Sequence, residues 1–139
     1  MKHPKELFKN VYWTFLEPIF TDQNIFRDRL KEYHKGIGYK GKLPPIKWEE
    51  ICIEAKEVVV QYAIFPETEN DAITEPQKKL VADNGKNFKA KELLFKMHNA
   101  ISEEVANQDH HFFEGLTFAT DQDPDFEKGT PVYFVDLGS

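Results

Sequence analysis

A chain of 139 residues with 40% hydrophobic side chains has the length of one domain and enough apolar surface to bury a core. Its net charge of −6 argues against the dense basic face that extended nucleic-acid binding needs. Its apolar stretches are also far shorter than the roughly 20 residues that span a bilayer. We therefore expect a single domain over residues 1–139 that binds neither nucleic acid directly nor a membrane.

The N-terminus and the cysteine content indicate a cytoplasmic protein. The first nine residues interrupt their apolar side chains with charge and lack the apolar core of a signal peptide. Cys52 has no second cysteine with which to form an internal disulfide, which agrees with a reducing compartment. Acids at positions 49, 50 and 54 surround it, and nearby negative charge raises the pKa of a thiol. We expect a structural cysteine and not a nucleophile.

Charge is distributed unevenly along the chain. Residues 1–47 hold ten Lys or Arg against five Asp or Glu, whereas residues 48–139 hold eight against nineteen. Two arrangements agree with this pattern. The basic third folds against the acidic remainder and neutralises part of it, or the charges form a surface dipole that orients a partner.

The N-terminal part, about residues 1–38, is predicted to be helical. Apolar residues at helical spacing and an early proline predict a first helix over residues 4–16. The β-branched and aromatic run 11–15 favours a strand instead. Thr21 or Asp22 can cap a second helix, whose apolar face leads into two glycines.

The part from about residue 46 to residue 139 is predicted to hold a sheet and one long helix. Residues 48–65 have the densest β-branched and aromatic content and predict one long strand that ends at a proline. The stretch 67–76 carries four acids and no Lys or Arg, which marks an exposed loop. Residues 79–82 predict the return strand.

The long helix is the clearest element in the sequence. Residues 89–107 place apolar side chains along one stripe of helical period and charged side chains on the opposite face. Residues 112–119 and 131–137 predict two further strands. We therefore expect an α+β fold: an antiparallel sheet of about four strands, one long helix packed across it and the helical N-terminal part.

Histidines and carboxylates cluster in segment 109–114, where the long helix is predicted to end. Adjacent histidines point to opposite sides of a strand, and no HExxH pattern puts two on one helical face. A metal would need distant ligands such as His34 or His98. The favoured interpretation is that one of the pair lies beside the negative end of the helix. We predict no metal and no cofactor. The clustered residues are Asp109, His110, His111 and Glu114.

The alternating acids at positions 121, 123 and 125 are similar to the start of a calcium-binding loop. Phe126 stands where the sharp turn of such a loop needs Gly, and Val132 stands where it needs a bidentate Glu. A solvated acidic loop is the favoured interpretation. Serine occurs only at positions 102 and 139, and no nucleophile elbow or phosphate-binding loop is present. Serine hydrolase chemistry is therefore close to excluded.

The last 39 residues hold nine acids against one base, and aromatic residues are interleaved with them. Aromatic anchors inside an acidic rim suit fast docking on a basic protein. The other interpretation, to which we give the larger weight for the acids taken alone, is that they keep a Phe-rich domain soluble. We expect a stand-alone binding protein rather than an enzyme. Bacterial immunity proteins that inhibit basic toxins or nucleases are comparable in charge and size alone. The residues expected to contact the partner are Asp109, Glu114, Asp121, Asp123, Asp125, Phe126 and Glu127.

Two alternatives remain open at the level of the sequence. One is a small-ligand-binding or hydrolytic enzyme whose pocket lies between the sheet and the N-terminal helices and uses His110, His111 and Glu114. The other is a homodimer that forms through an exposed sheet edge or an aromatic face.

Overall fold

The computed structural model describes residues 3–37, 45–68, 70–119 and 130–139. Neither helix of this part has the length and apolar character needed to cross a membrane. The elements are, in chain order, β1 (Glu6–Leu7), β2 (Trp13–Thr14), α1 (Gln23–Ile37), β3 (Ile51–Ile53), β4 (Glu57–Gln61), β5 (Gln77–Val81), β6 (Phe88–Lys89), α2 (Ala90–Val105), β7 (Phe112–Phe118) and β8 (Val132–Gly138).

Six of these strands form the main sheet, in the order β1-β7-β8-β4-β5, with β2 also paired to β7. β7 runs antiparallel to β8, and β5 runs antiparallel to β4, but β4 and β8 are parallel. β3 and β6 form a separate antiparallel pair. The α+β class is confirmed. The sheet differs from the prediction because it has six strands and is mixed.

Both helices pack on one face of the main sheet. Met97 and Ile101 of α2 share one buried apolar cluster with Phe26 of α1, and with Val58 and Tyr133 of the two parallel strands. That cluster contains residues from the N-terminal segment, both helices and the main sheet. Alternate residues of each strand point to the other face of the sheet, away from the helices.

The N-terminal segment forms strands, so the predicted helix over residues 4–16 is wrong. β1 pairs with Leu116–Thr117 of β7, and β2 pairs with Phe112–Phe113 of the same strand. Trp13 and Phe15 are fully buried in the core. Aromatic and β-branched side chains pack well on a half-buried pleated surface, and this preference decided the structure of the segment.

Between β1 and β2 the chain leaves the sheet in a tight loop of residues 8–12, which we call the excursion. Phe8 has a φ of 59°, in the left-handed region that non-glycine residues rarely adopt. The excursion lies against Gly115, where an added Cβ would come within 2.7 Å of Lys9 Cδ. Lys9 Nζ donates to Thr117 Oγ1 at 2.9 Å and pairs with the Asp136 carboxylate. These contacts fix the excursion to β7 and β8.

Residues 48–65 form two strands, and the predicted single strand is wrong. β3 ends at Ile53 and belongs to the small sheet, whereas β4 begins at Glu57 and enters the main sheet. Glu54 and Lys56 lie between them, and both are exposed. These charged residues interrupt the apolar run, so the chain turns where the pattern breaks.

The remaining elements lie close to where the sequence predicted them. Asp22 caps α1, since its Oδ1 accepts the N–H groups of Asn24 and Ile25 at 2.7 and 3.1 Å. α2 buries the predicted apolar stripe. β5, β7 and β8 match the predicted return strand and the two C-terminal strands to within a few residues.

His98 lies fully buried beneath the N-terminal segment. Its Nδ1 accepts the indole N–H of Trp13 at 2.9 Å, and its Nε2 donates to the carbonyl oxygen of Pro18 at 2.8 Å. With one nitrogen accepting and the other donating, the ring is the neutral Nε2–H tautomer. Asn99 binds both the N–H and the C=O of Phe20. Together these bonds hold the N-terminal segment on α2.

Aromatic rings surround His98 and keep it dry. The ring centroids of Trp13, Phe15, Phe20 and Phe26 lie 5.4 to 5.8 Å from that of the imidazole. Burial lowers the pKa of His98 below its ordinary value of 6.5, because a charged imidazole would lose its water.

We expect the free energy of unfolding to fall as the pH drops below 6.5. The pKa of His98 is lower in the folded state, so the unfolded chain takes up the proton first. The stabilisation is therefore fully present above pH 6.5 and is lost as the pH falls towards the folded-state pKa. Urea unfolding at steps from about pH 8 to about pH 5 measures this loss.

The variant His98→Gln is the control for this effect. It should be less stable at pH 8 by about 1–3 kcal/mol, because buried hydrogen bonds are lost, and its stability should depend less on pH. Burial also lowers the pKa of His34, but that group titrates in both proteins, so the difference between them isolates His98. Equal pH dependence in the two proteins would contradict the neutral, buried imidazole.

Candidate functional site

One edge of the main sheet brings together segments that are distant in sequence. β4 and β8 run in the same direction and β7 runs against them, so β4 and β8 end at the edge where β7 begins. β5 starts there, and α2 ends within a few residues of the start of β7. The described residues of segments 62–75 and 103–114, which meet at this edge, include seven Asp or Glu and no Lys or Arg. We call these two segments the acidic end.

Gln108 joins the two segments of the acidic end. Its Oε1 accepts the N–H of Phe65 at 2.9 Å, and its Nε2 donates to the carbonyl oxygens of Ala63 and His110 at 3.1 and 2.9 Å. The Phe65 ring stacks on the His110 imidazole with 4.4 Å between centroids. These contacts fix the chain that follows β4 against the turn that follows α2.

The chain between β4 and β5 is a hairpin that extends beyond the sheet. Ile64 and Thr74 exchange two backbone hydrogen bonds, at 2.7 and 3.1 Å. Nearer the tip, Thr68 Oγ1 donates to the Asp71 carboxylate at 2.7 Å. Ile73 is 55% exposed although it is apolar. The hairpin therefore presents carboxylates and an apolar side chain together.

Most carboxylates of the acidic end have no ion-pair partner within the described ranges. Glu104 is the exception, because it lies 3.7 Å from Lys78 Nζ and accepts the Tyr62 hydroxyl at 2.8 Å. Elsewhere several acids are paired, as Glu49 is with two lysines. Negative charge is therefore left unbalanced at this edge. The unpaired carboxylates are those of Glu67, Asp71, Glu75, Glu103, Asp109 and Glu114.

Tyr62 is held protonated at the base of the acidic end. Burial, followed by its hydrogen bond to Glu104, raises the pKa of Tyr62 above its ordinary value of 10.0. The phenol therefore acts as a donor that orients the Glu104 carboxylate, which keeps this acid at the surface of the last turn of α2.

Exposed apolar side chains lie beside these carboxylates. Phe112 at the start of β7 and Phe134 on β8 are each 37% exposed. Phe134 and Glu75 line a shallow depression of about 340 Å³. Glu75 is oriented by Gln61, whose Nε2 donates to its carboxylate at 3.2 Å. This depression can accept an apolar side chain of a partner next to the carboxylate of Glu75.

Two of the predicted partner-binding residues, Asp109 and Glu114, are exposed at the acidic end. The flanking residues of the predicted acidic loop, Ala119 and Thr130, lie at the far end of the seven-residue strand β7, about 20 Å away at the usual rise per residue. Whether the loop shares a surface with Asp109 stays a prediction. The predicted residues that lie outside the described part are Asp121, Asp123, Asp125, Phe126 and Glu127.

His110 and His111 are half-buried and engaged in local packing. His111 Nδ1 donates to the carbonyl oxygen of Gln108 at 2.7 Å, which places the ring beside the end of α2. Three cavities among the described residues are lined by other side chains than these two histidines and Glu114. Nor does the described part contain a group of three His, Cys, Asp or Glu that could hold a metal ion.

Cys52 lines a cavity of about 360 Å³ between the excursion after β1 and residues 45–52. Burial raises the pKa of the Cys52 thiol to about 12. The thiol is therefore protonated at neutral pH and is a poor nucleophile, as its acidic sequence neighbours indicated. Its Sγ–H points to the carbonyl oxygen of Phe88 at 3.5 Å, so this cysteine contributes packing.

Comparison of the chain with protein-family models, with curated proteins and with solved structures finds no match. The function is therefore inferred from the charges, contacts and exposed surfaces of this chain.

We expect Gln108→Ala to loosen the hairpin from the end of α2. The change leaves the N–H of Phe65 and two carbonyl oxygens without their partner, so stability should fall by about 1–3 kcal/mol in urea unfolding. Amides of residues 63–65 should exchange hydrogen faster. The control is Asn107→Ala, an exposed neighbour, which should change stability by less than about 0.5 kcal/mol. Equal effects of the two variants would show that Gln108 does not join the segments.

Proposed function

We propose that this protein is a binding module that docks a basic protein through the acidic end. The observation that carries this proposal is the set of six carboxylates that have no ion-pair partner among the described residues and lie near exposed apolar side chains at one edge of the sheet. The acidic composition predicted such a partner, and the directions of β4, β7 and β8 supply a surface on which the charges of two distant segments add.

The electrostatics of the acidic end favour a positively charged partner. Helix α2 ends there with its negative dipole end, and its last turn contains no basic residue. Charges of one sign on one surface steer an oppositely charged protein and raise the association rate at low ionic strength. Physiological salt screens such exposed charges beyond about 8 Å, so the association should depend on salt.

Exposed apolar side chains at the same end of the sheet supply candidate anchors for the partner. Ile73, Phe112 and Phe134 are exposed well beyond what core residues show. Protein interfaces bury aromatic and aliphatic anchors at their centre and keep charged groups at the edge. The anchors would then supply affinity at any salt concentration, while the carboxylates would add affinity at low salt and select a basic partner.

Inhibition of a basic toxin or nuclease, as immunity proteins perform it, is one form of this function. A nuclease needs positive charge to bind phosphates, and an acidic surface competes for that charge. The alternative, a ligand-binding or hydrolytic pocket at His110, His111 and Glu114, gains no support from the described geometry, because both rings are committed to local contacts.

Removing charge at the acidic end should weaken association with the partner. The partner is captured from a lysate of the native cell with the wild-type protein and then purified. Four changes, Glu67→Gln, Asp71→Asn, Glu103→Gln and Asp109→Asn, should lower its affinity by about tenfold or more at low salt. Calorimetry at low and high salt measures this, and high salt should weaken the wild-type complex.

A matched control separates position from net charge. Asp28→Asn, Glu32→Gln, Glu50→Gln and Glu54→Gln remove the same number of exposed acids elsewhere on the surface. This variant should bind within about twofold of the wild type, since distant screened charges contribute little. An affinity that does not change between low and high salt would refute the docking surface. An equal loss of affinity in both variants would refute it as well.

A further inference from the structure

β5 is an edge strand of the main sheet, and one side of its backbone points away from β4. Tyr62 N–H donates to the carbonyl oxygen of Pro76 at 3.2 Å. Ala82 N–H donates to that of Lys56 at 2.8 Å. In an antiparallel pair such bonds fall on alternate residues, so the even-numbered positions of β5 face β4. The positions that point their N–H and C=O outward are Gln77, Lys79 and Val81.

The outward groups are only partly satisfied within the described ranges. Val81 O accepts a hydrogen bond from Lys96 Nζ. The N–H and C=O of Lys79 have no described partner, because β5 pairs with β4 alone. Unpaired groups on a strand edge are complementary to one kind of occupant, another extended chain.

A shallow, open groove runs along this edge, between β5 and α2. Its volume is about 410 Å³, and its apolar lining comes from Leu80 on the strand and from Phe95 and Ala100 on the helix. A strand added to β5 would turn every second side chain towards α2 and the others towards the opposite face of the sheet, next to Lys79. The groove therefore favours an occupant with alternating apolar residues.

A second copy of this chain fits the edge poorly. Antiparallel pairing of β5 with itself over its full length, Gln77 opposite Val81, places Lys79 opposite Lys79. Like charges directly opposite one another on a sheet are destabilising, and lysines on edge strands commonly prevent self-association. Lys79 Nζ lies 3.1 Å from the carboxylate of Glu57 in a partly exposed pair, and an acidic side chain opposite Lys79 would give this ammonium group a second partner.

We propose that β5 and the groove beside α2 bind an extended segment of another protein, which joins the sheet as an additional strand. This segment carries an acidic side chain opposite Lys79 and apolar side chains that contact Phe95 and Ala100. The site lies on the β5 edge, and its test does not depend on the carboxylates of the acidic end.

The test uses the full chain and a synthetic peptide, acetyl-Thr-Val-Glu-Val-Thr-amide, whose valines fit the groove and whose glutamate fits Lys79. Titration followed by amide NMR and hydrogen exchange should shift and protect the amides of Lys79 and Val81. The amides of Lys78 and Leu80 already bond to β4 and should keep their protection. This alternation is the signature of strand addition.

Two variants test the same contacts from the protein side. Lys79→Pro removes an outward N–H without removing a bond to β4 and should weaken peptide binding by about tenfold or more. Lys79→Ala keeps the N–H and should lose at most about fivefold, as expected for an exposed ion pair. If the proline variant does not fold, Ala100→Phe, which fills the groove from α2, should also weaken binding by about tenfold or more.

Three results would overturn the proposal. The first is that the amides of Lys79 and Val81 stay unchanged at millimolar peptide. The second is that Lys79→Pro and Ala100→Phe bind the peptide as well as the wild type does. The third is that these amides become protected as the concentration of the protein alone rises, which would show that a second copy occupies the edge.

Discussion

Three residue pairs join β4 to β8 in parallel: Val59 with Val132, Val60 with Tyr133, and Gln61 with Phe134. The four members of the first two pairs are almost fully buried, so the pairing lies at the centre of the fold. A parallel pair fixes both strands in one direction, and it therefore sets which loops meet. If β8 were antiparallel to β4, the hairpin that follows β4 and the start of β7 would lie at opposite ends of the sheet.

The N-terminal segment and α2 depend on one another. The neutral ring of His98 accepts a bond from Trp13 and donates one to Pro18, so it links β2 and the chain after it to the helix. The position of α2 in turn determines how two surfaces of the molecule are built. Its last turn contributes Glu103 to the acidic end, and Phe95, about two turns before, forms a wall of the groove beside β5. A proton on His98 would disturb the support of both surfaces.

Local pattern was enough to predict the elements whose periodicity and side-chain chemistry agree. α2 shows a clear apolar stripe, and Asp22 caps α1 as its residue type predicted. In residues 4–16 helical spacing and β-branched content disagreed, and burial of Trp13 and Phe15 in a strand settled the outcome. In residues 48–65 the exposed residues Glu54 and Lys56 mark a turn. The many β-branched and aromatic residues on both sides of them predicted one continuous strand instead.

The candidate site was predictable only in part. Asp109 and Glu114 belong to an acidic stretch that the sequence makes visible, and the hairpin acids are equally visible as a run without Lys or Arg. That the two runs meet follows from the parallel pairing of strands far apart in the chain, and no local pattern encodes this contact. Gln108, which joins the runs, resembles any polar residue after a helix until its three partners are placed.

Hydrogen exchange of the purified complex with the captured partner tests the central proposal most directly, because it maps the interface without altering a residue. We expect slower exchange on binding at residues 63–75 and 103–114, with no change in α1 or in residues 45–53. Slower exchange in α1 or in residues 45–53, with the acidic end unchanged, would contradict the proposed docking surface.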